Sequence, residues 1–240
     1  MVSDFYIRNV ANVVHSWMNY LYEVSETEQL AAESSLRYPI AGLLERKKDV
    51  TLNMEEDHPC FNDARIDFTW NDGKETVFLE MKFVKNEEIS VQEFYDDLFR
   101  LATIPETHCH KYFLVCGRED YFKAQFERRM INIKSLISSK IKKQNKRIHI
   151  VQNGPKREFA FDNILSFSID GKTDYSEIRD CIFSAKKKYY KYYQVFRKTY
   201  KNKCRDGYEI PKRIHIQTTL LQHINMGFKS SVAVWEIKSL

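Results

Sequence analysis

The sequence predicts an α/β fold in which helices alternate with strands. Three observations predict it: amphipathic helical stretches alternate with short apolar strands, an Asp-Gly turn joins two of those strands, and the chain is long enough for one substantial core. The composition agrees, because 43% of the residues are hydrophobic and only 7 are glycine and 5 are proline. Such a chain can bury a core and lacks the composition of a disordered segment.

The elements follow in order from apolar periodicity and turn signals. The second helix carries an apolar stripe from Leu36 to Leu44, Pro105 ends a third helix, and Gly117 closes a compact apolar strand. The expected helices lie near 3–22, 27–46, 90–104, 119–143 and 173–203. The expected strands lie near 64–70, 76–84, 111–116, 147–152, 158–168, 213–218 and 231–236. A helix between two strands predicts a crossover connection and a parallel pair.

We expect a single domain over 1–240, with a helical N-terminal segment over about 1–25 and a basic helix over about 173–205 as additions to the core. No apolar run approaches the length of about 18 residues typical of a transmembrane helix. The first residues lack a signal-peptide pattern, and the 5 cysteines include no CxxC pair. The sequence therefore predicts a cytoplasmic protein without a membrane partner.

The hairpin expected around Asp72-Gly73 brings charged side chains together. Glu80 and Lys82 are two residues apart on one strand and therefore point to the same face, and Asp67 lies on the facing strand. Two buried carboxylates lose hydration and repel each other. A divalent cation relieves both effects, and an oxygen-only ligand set favours Mg²⁺. The alternative is an ordinary amphipathic strand whose charged face meets water.

Asp67, Glu80 and Lys82 match the D…(D/E)-x-K signature, and over roughly residues 30 to 117 the chain resembles the PD-(D/E)xK nuclease superfamily. The resemblance implies a restriction-endonuclease-like core, in which a mixed β-sheet is flanked by α-helices. It also implies that Asp67 and Glu80 bind Mg²⁺, with Mn²⁺ as an alternative ion, and that Lys82 positions or activates the attacking water. The proline of the signature is absent, which leaves Asp63 as a rival first carboxylate. Asp67 is preferred because it lies inside the alternating apolar run.

The resemblance extends to helices around the hairpin. Many members of the superfamily add a glutamate from a preceding helix, which implies Glu33 as a further metal ligand and catalytic residue, with Glu45 as the alternative. A carboxylate at the start of a helix is also a common capping or dipole device. Family members often carry a glutamine and a tyrosine on the next helix. Gln92, followed by Tyr95, is the corresponding support residue, although the usual spacing of four is not kept.

A long basic stretch from Cys181 to Arg205 contains no acidic residue. Lysine and arginine neutralise phosphates, and the interleaved tyrosines could stack on exposed bases. The alternative is a solvated helix whose tyrosines pack inward. The residues expected to contact nucleic acid are Lys186, Lys187, Lys188, Lys191, Arg197, Lys198 and Lys201.

Together these features predict a Mg²⁺-dependent nuclease, and more specifically an endonuclease. The resemblance favours DNA over RNA and implies a role in restriction, antiviral defence or DNA processing. A non-catalytic nucleic-acid-binding module on the same fold is one alternative. A nuclease subunit of a larger defence complex, activated by its partner, is another. A homodimer would suit cutting of both strands.

Overall fold

The computed structural model describes most of the chain. The described residues are 2–24, 31–47, 50–71, 75–84, 91–105, 107–122, 158–161, 165–168, 192–214, 216–224 and 229–239. The longer helices among the described residues are α1 (Val2–Val24), α2 (Arg37–Leu44), α3 (Val91–Thr103) and α4 (192–200), and residues 119–122 are also helical. The strands are β1 (Thr51–Asp57), β2 (Arg65–Asn71), β3 (Thr76–Val84), β4 (Cys109–Arg118), β5 (Glu158–Phe161), β6 (Leu165–Ser168), β7 (Ile216–Ile224) and β8 (Ser230–Ser239).

Six strands form one mixed sheet in the order β1-β2-β3-β4-β8-β7. β3 and β4 are parallel, and the other neighbouring strands pair antiparallel. α3 connects β3 to β4, since parallel neighbours need a crossover connection. β5 and β6 form a separate two-stranded sheet. The mixed α/β fold and the crossover that the sequence predicts are confirmed.

Helices and their cores cover both faces of the six-stranded sheet. One core joins α1 and α2 to Leu79 and Val234. The other joins α3 and α4 to Phe113 and Trp235. Successive residues of a strand point to opposite faces, so the central strands are buried from both sides. A charged side chain on such a strand reaches water only near the end of the strand. Among the described residues, no helix is long and apolar enough to cross a membrane.

Several predicted elements are confirmed closely. The strand expected over 76–84 has those bounds, and α1 and α3 match their predictions within two residues. A 3-10 turn over Glu33–Leu36 precedes α2, so the regular part of the second helix is shorter than expected. The strand expected near 213–218 instead begins at Ile216, and β5 and β6 divide the one expected near 158–168. The expected strand near 147–152 and most of the expected helices near 119–143 and 173–203 lie outside the described residues.

β1 is not predicted by the sequence, because it has no buried apolar face and only Leu52 packs partly against the core. Its Thr-Leu-Asn-Met-Glu-Glu-Asp sequence is largely exposed. It is an edge strand that pairs antiparallel with β2 through the backbone, and acidic residues suit an edge because they discourage pairing with another chain. Glu55 has a φ of 51°. Its carboxylate binds both Arg37 of α2 and Arg65 of β2, which ties the edge of the sheet to the helix above it.

Candidate active site

β2 and β3 stop pairing at the end of the sheet where the predicted charged residues lie. Their paired residues end with Phe68 and Leu79, whereas β3 continues to Val84. Beyond that point, the backbone N–H groups of Met81 and Phe83 donate to side-chain carboxylates. Buried backbone donors need such partners, because leaving one unpaired is costly. In the gap that opens where β2 and β3 separate, acidic side chains therefore accept the hydrogen bonds of β3.

Asp67 and Glu33 fill this gap. Met81 N–H donates to Asp67 Oδ2 over 2.8 Å, and Phe83 N–H donates to Glu33 Oε2 over 3.3 Å. Asp67 comes from β2, whereas Glu33 opens the 3-10 turn before α2. The two carboxylates thus reach β3 from different elements and take positions that strand carbonyls would otherwise occupy.

Asp67 and Glu80 face each other across the gap. Because Phe68 pairs with Leu79, Asp67 lies opposite Glu80, which is only 2% exposed. Burial raises the pKa of Asp67, even though hydrogen bonds from Met81 and Glu80 act in the opposite direction. Burial also raises the pKa of Glu80 well above its ordinary value, and the negative charge of Asp67 adds to this effect. Burial and mutual repulsion therefore both act against ionisation of this pair.

Glu80 has an internal counter-ion on α3. Arg100 Nη2 lies 3.0 Å from Glu80 Oε1 and 2.9 Å from Asp97 Oδ1. Arg100 Nη1 donates to the hydroxyl of Tyr200 on α4 over 3.3 Å. Burial disfavours the charged guanidinium, but Glu80 and Asp97 outweigh burial and keep the pKa of Arg100 above its usual range. Arg100 therefore remains charged between two buried carboxyl groups.

Lys82 lies on the same face of β3 as Glu80 and pairs with Asp97. Its Nζ donates to Asp97 Oδ2 over 2.6 Å, and its side chain is 20% exposed. Burial alone would lower the pKa of Lys82, but Asp97 first, and then Glu33 and Glu80, raise it above its ordinary value. The predicted strand geometry is confirmed, because Glu80 and Lys82 both reach partners on α3.

Glu33 belongs to the same charged cluster. Burial raises its pKa, and the charge of Asp67 raises it further, whereas Lys82 and the N–H of Phe83 lower it. Glu33 is therefore within electrostatic reach of both Asp67 and Lys82. The structure brings together all four residues that the sequence proposes as catalytic.

These four residues do not form a closed metal cage in the arrangement described. Within the described ranges, no three His, Cys, Asp or Glu side chains are arranged so that they could jointly hold a metal ion. The contacts give the reason: Glu80 binds Arg100, and Asp67 and Glu33 each accept a backbone N–H. Metal binding at this cluster would require the carboxylates to exchange some of these partners.

The two rival carboxylates lie outside the cluster. Asp63 is exposed in the turn before β2, with a φ of 55°, and it lines an open cavity of about 600 Å³. Glu45 is exposed at the C-terminal end of α2. Asp67 and Glu33, in contrast, bond directly to β3 beside Lys82. The geometry favours Asp67 over Asp63 and Glu33 over Glu45.

Gln92 connects α3 to α4. Its Nε2 donates to Asp96 Oδ1 over 2.6 Å and to the carbonyl of Tyr192 over 3.4 Å. Tyr95 is fully buried and stacks on the ring of Tyr192, with 4.6 Å between the centroids. Both residues therefore hold α4 against α3, which is a supporting role at the other end of the helix from Arg100.

α4 and the 3-10 turn Lys201–Lys203 that follows it carry only part of the predicted basic surface. Lys198 and Lys201 are exposed, while Arg197 is half-buried beside a cavity of about 310 Å³. Lys186, Lys187, Lys188 and Lys191 lie outside the described residues. The expectation that the tyrosines stack on bases is wrong for Tyr193 and Tyr200, because these are 1% and 8% exposed and pack in the core. The inward-packing alternative holds for these two.

Asp97 and Arg100 are the site residues that sequence reasoning missed. They are three residues apart on α3, so they share a face of the helix, and that face meets β3. A signal was present, since charged residues on the apolar side of an amphipathic helix need partners across the interface. The sequence could not identify which strand supplies them.

No protein-family model matches this chain, and neither a curated protein nor a solved structure is significantly similar to it. The charged cluster where β2 and β3 separate is therefore the feature on which a function can be proposed.

Proposed function

We propose that this protein is a metal-dependent nuclease of the PD-(D/E)xK type, built on a restriction-endonuclease-like core. The observation that carries the proposal is the buried pair Asp67 and Glu80, with Lys82 two residues further along β3. This arrangement is the D…E-x-K pattern on neighbouring strands of a mixed sheet. A buried pair of like charges is costly, which favours a role in chemistry over a role in stability.

The donor set fits Mg²⁺, with Mn²⁺ as an alternative ion. Asp67, Glu80 and Glu33 would hold it, because they offer carboxylate oxygens, the ligands that hard divalent cations prefer. Burial raises the pKa of all three, and a bound cation would act in the opposite direction by favouring their ionised forms. When bound, the ion would stabilise negative charge on the scissile phosphodiester and lower the pKa of a water molecule.

Lys82 would act as a charged donor and would not serve as the general base. Its pKa is raised, so the ammonium group keeps its proton at neutral pH. Asp97 holds the Nζ of Lys82 at the partly exposed side of the cluster. From there Lys82 would orient the attacking water and offset the negative charge that develops on the phosphate oxygens.

The proposed substrate is nucleic acid, with DNA favoured by the resemblance. α4 is joined to α3 through Gln92 and through Arg100. The exposed Lys198 of α4 and Lys201 of the 3-10 turn that follows it therefore belong to the same side of the sheet as the cluster. Cations at this position would bind the phosphate backbone and bring it to the site.

One observation favours a nuclease that its partner activates. Glu80 is bound to Arg100, and Lys82 is bound to Asp97, so two of the proposed catalytic residues are engaged by α3 in the isolated chain. A partner or substrate that displaces these contacts would release both residues. This candidate differs from the first only in the trigger, since the chemistry is the same.

Cleavage assays test the proposal. The wild type is incubated with supercoiled plasmid, labelled single-stranded DNA and labelled RNA, in Mg²⁺ or Mn²⁺ and in EDTA. Cutting that requires metal and is lost in Asp67→Asn and Lys82→Met would support it. Binding without cutting by the folded wild type would instead favour the non-catalytic module or the nuclease that awaits its partner.

A further inference from the structure

We propose that Arg100 is a positioning residue that serves as an exchangeable counter-ion of Glu80. It neutralises Glu80 while the site holds no metal, and a divalent cation displaces it toward Tyr200 and Asp97. This inference rests on the proposed nuclease function, because it concerns the same cluster. It assigns Arg100 a role in setting metal affinity.

Arg100 makes contacts that join three elements at the cluster. Its guanidinium touches Glu80 on β3, Asp97 on α3 and the hydroxyl of Tyr200 on α4. The side chains of Arg100, Glu80 and Asp97 are 17%, 3% and 11% exposed, so water contributes little. Arg100 thus binds the carboxylate of Glu80, which the D…E-x-K pattern assigns to a metal ion.

The pairing of Arg100 with Glu80 is incomplete. Arg100 binds Glu80 through Nη2, and the same nitrogen also contacts Asp97. The Nε of Arg100 is buried and makes no hydrogen bond within the described part of the chain. Two-pronged arginine–carboxylate pairs are the strong ones. A pair that leaves one donor unsatisfied is easier for a competing cation to displace.

Arg100 also has alternative partners on the side away from Glu80. Tyr200 already accepts from Nη1, and its ring is fixed by stacking on Phe196 with 4.5 Å between centroids. The main chain at Arg100 is held as well, because its carbonyl oxygen lies 3.1 Å from His58 Nε2. Rotation of the side chain away from Glu80 would therefore keep Asp97 and Tyr200 as partners without moving α3.

These relationships predict opposite effects for two substitutions. Arg100→Gln removes the competitor of the metal and should tighten Mn²⁺ binding about tenfold, the size of one charge-assisted hydrogen bond. Tyr200→Phe keeps the packed ring and removes only the hydroxyl that receives Arg100. It should weaken Mn²⁺ binding severalfold, because Arg100 then depends more on Glu80. A purely structural Arg100 would give weaker binding in Arg100→Gln and unchanged binding in Tyr200→Phe, because Tyr200→Phe keeps the packed ring.

The test measures Mn²⁺ affinity by titration calorimetry at a fixed pH, with metal-induced thermal stabilisation as a second readout. Wild type, Arg100→Gln, Tyr200→Phe and Glu80→Gln are compared. Tighter binding by Arg100→Gln and weaker binding by Tyr200→Phe support the proposal. If Arg100→Gln does not fold, weaker binding by Tyr200→Phe supports it and unchanged binding overturns it.

Glu80→Gln separates the role of Arg100 from the existence of the metal site. If it abolishes binding while Arg100→Gln binds no tighter than the wild type, the role of Arg100 is overturned and the metal site stands. If wild type and Glu80→Gln bind Mn²⁺ equally, or if no variant binds it, the metal site itself is wrong and both proposals fail.

Discussion

Lys82 Nζ lies 2.6 Å from Asp97 Oδ2, and this ion pair fixes β3 to α3 at the end of the sheet where the carboxylates gather. Removing one partner of a buried pair normally leaves an uncompensated charge. Asp97 is an exception, because Arg100 binds its other oxygen. The contribution of Lys82 to catalysis can therefore be separated from its contribution to stability.

Lys82→Met should reduce the rate of metal-dependent cleavage by about 100-fold or more, the usual effect of removing one preorganised donor to developing negative charge. The protein should still fold, since Asp97 keeps Arg100 as a partner. Initial rates of plasmid cleavage measure the first effect, and urea denaturation monitors the second. Full activity in a folded Lys82→Met protein would remove Lys82 from the mechanism.

Asp67→Asn and Asp63→Asn should differ sharply in activity. Asp67 lies opposite Glu80, and its replacement removes a proposed metal ligand, so cleavage should fall to background. Asp63 is exposed with a φ of 55°, a conformation that asparagine tolerates, so its variant should keep both stability and activity. Cleavage in Mg²⁺ by the two variants side by side checks this. The reverse pattern would identify Asp63 as the first carboxylate.

Glu33→Gln should change how stability depends on pH. The pKa of Glu33 is raised above 4.5 in the folded protein, so folding favours its protonated form. Its contribution is therefore neutral below that value and becomes unfavourable as the pH rises through the folded pKa. Glutamine still accepts the N–H of Phe83 and carries no charge. In EDTA, the stability of Glu33→Gln relative to wild type should increase as the pH rises above 4.5.

Thermal melts of both proteins across pH 4 to 8 would provide this comparison, with about half-unit steps chosen because carboxyl groups titrate over roughly two units. The difference in melting temperature between the two proteins cancels the contribution of other titrating groups, including the buried His58. A constant difference across this range would show that Glu33 titrates normally.

Gly117→Ala should disrupt the parallel pair that carries the site. A Cβ at Gly117 would lie 2.6 Å from the carbonyl oxygen of Val84 and 2.8 Å from its Cβ. Overpacking of this kind costs about 1–3 kcal/mol. Gly42→Ala is the matched control, because nothing lies within 4 Å of its Cβ on α2, and it should gain up to about 1 kcal/mol. Urea denaturation of both variants would measure the two effects.

Lys198 and Lys201 should contribute to nucleic-acid affinity through phosphate contacts. Replacing both with alanine should reduce the slope of log affinity against log salt by about 2, since each phosphate contact contributes roughly 0.9 on duplex DNA. Fluorescence anisotropy over a series of salt concentrations measures the slope. Lys238→Ala on β8 is the control, because Lys238 is half exposed and pairs with Glu236. Equal slopes for all three proteins would exclude the end of α4 and the turn after it from the interface.

The strands of the site can be predicted well from local pattern. β3 alternates inward-facing apolar and charged residues, and that alternation by itself predicts that Glu80 and Lys82 share one face. β1 cannot be predicted in this way, because an exposed edge strand needs only backbone pairing, which leaves no signature in side-chain order. The helical tyrosines are ambiguous in sequence, since the same spacing suits either a core or a binding surface.

Partners of the site residues could not be predicted, because they depend on how separate elements meet. Arg100 reaches Glu80 across 20 residues of sequence and Tyr200 across 100. Contacts between residues so far apart in sequence produce no periodic pattern from which they could be predicted. The separation of β2 from β3 could not be predicted for the same reason. The N–H of Phe83 there donates to Glu33, which lies 50 residues away in sequence.

β8 follows every other described strand in sequence and yet lies inside the sheet, between β4 and β7. Until β8 has been synthesised, the edge of β4 that pairs with it is unpaired. This edge contains residues such as Phe113 and Val115, which are fully buried in the complete fold. Such an edge invites association with other nascent chains. A premature stop before β8 would therefore cause aggregation and clearance of the whole protein, although every proposed ligand would already have been synthesised.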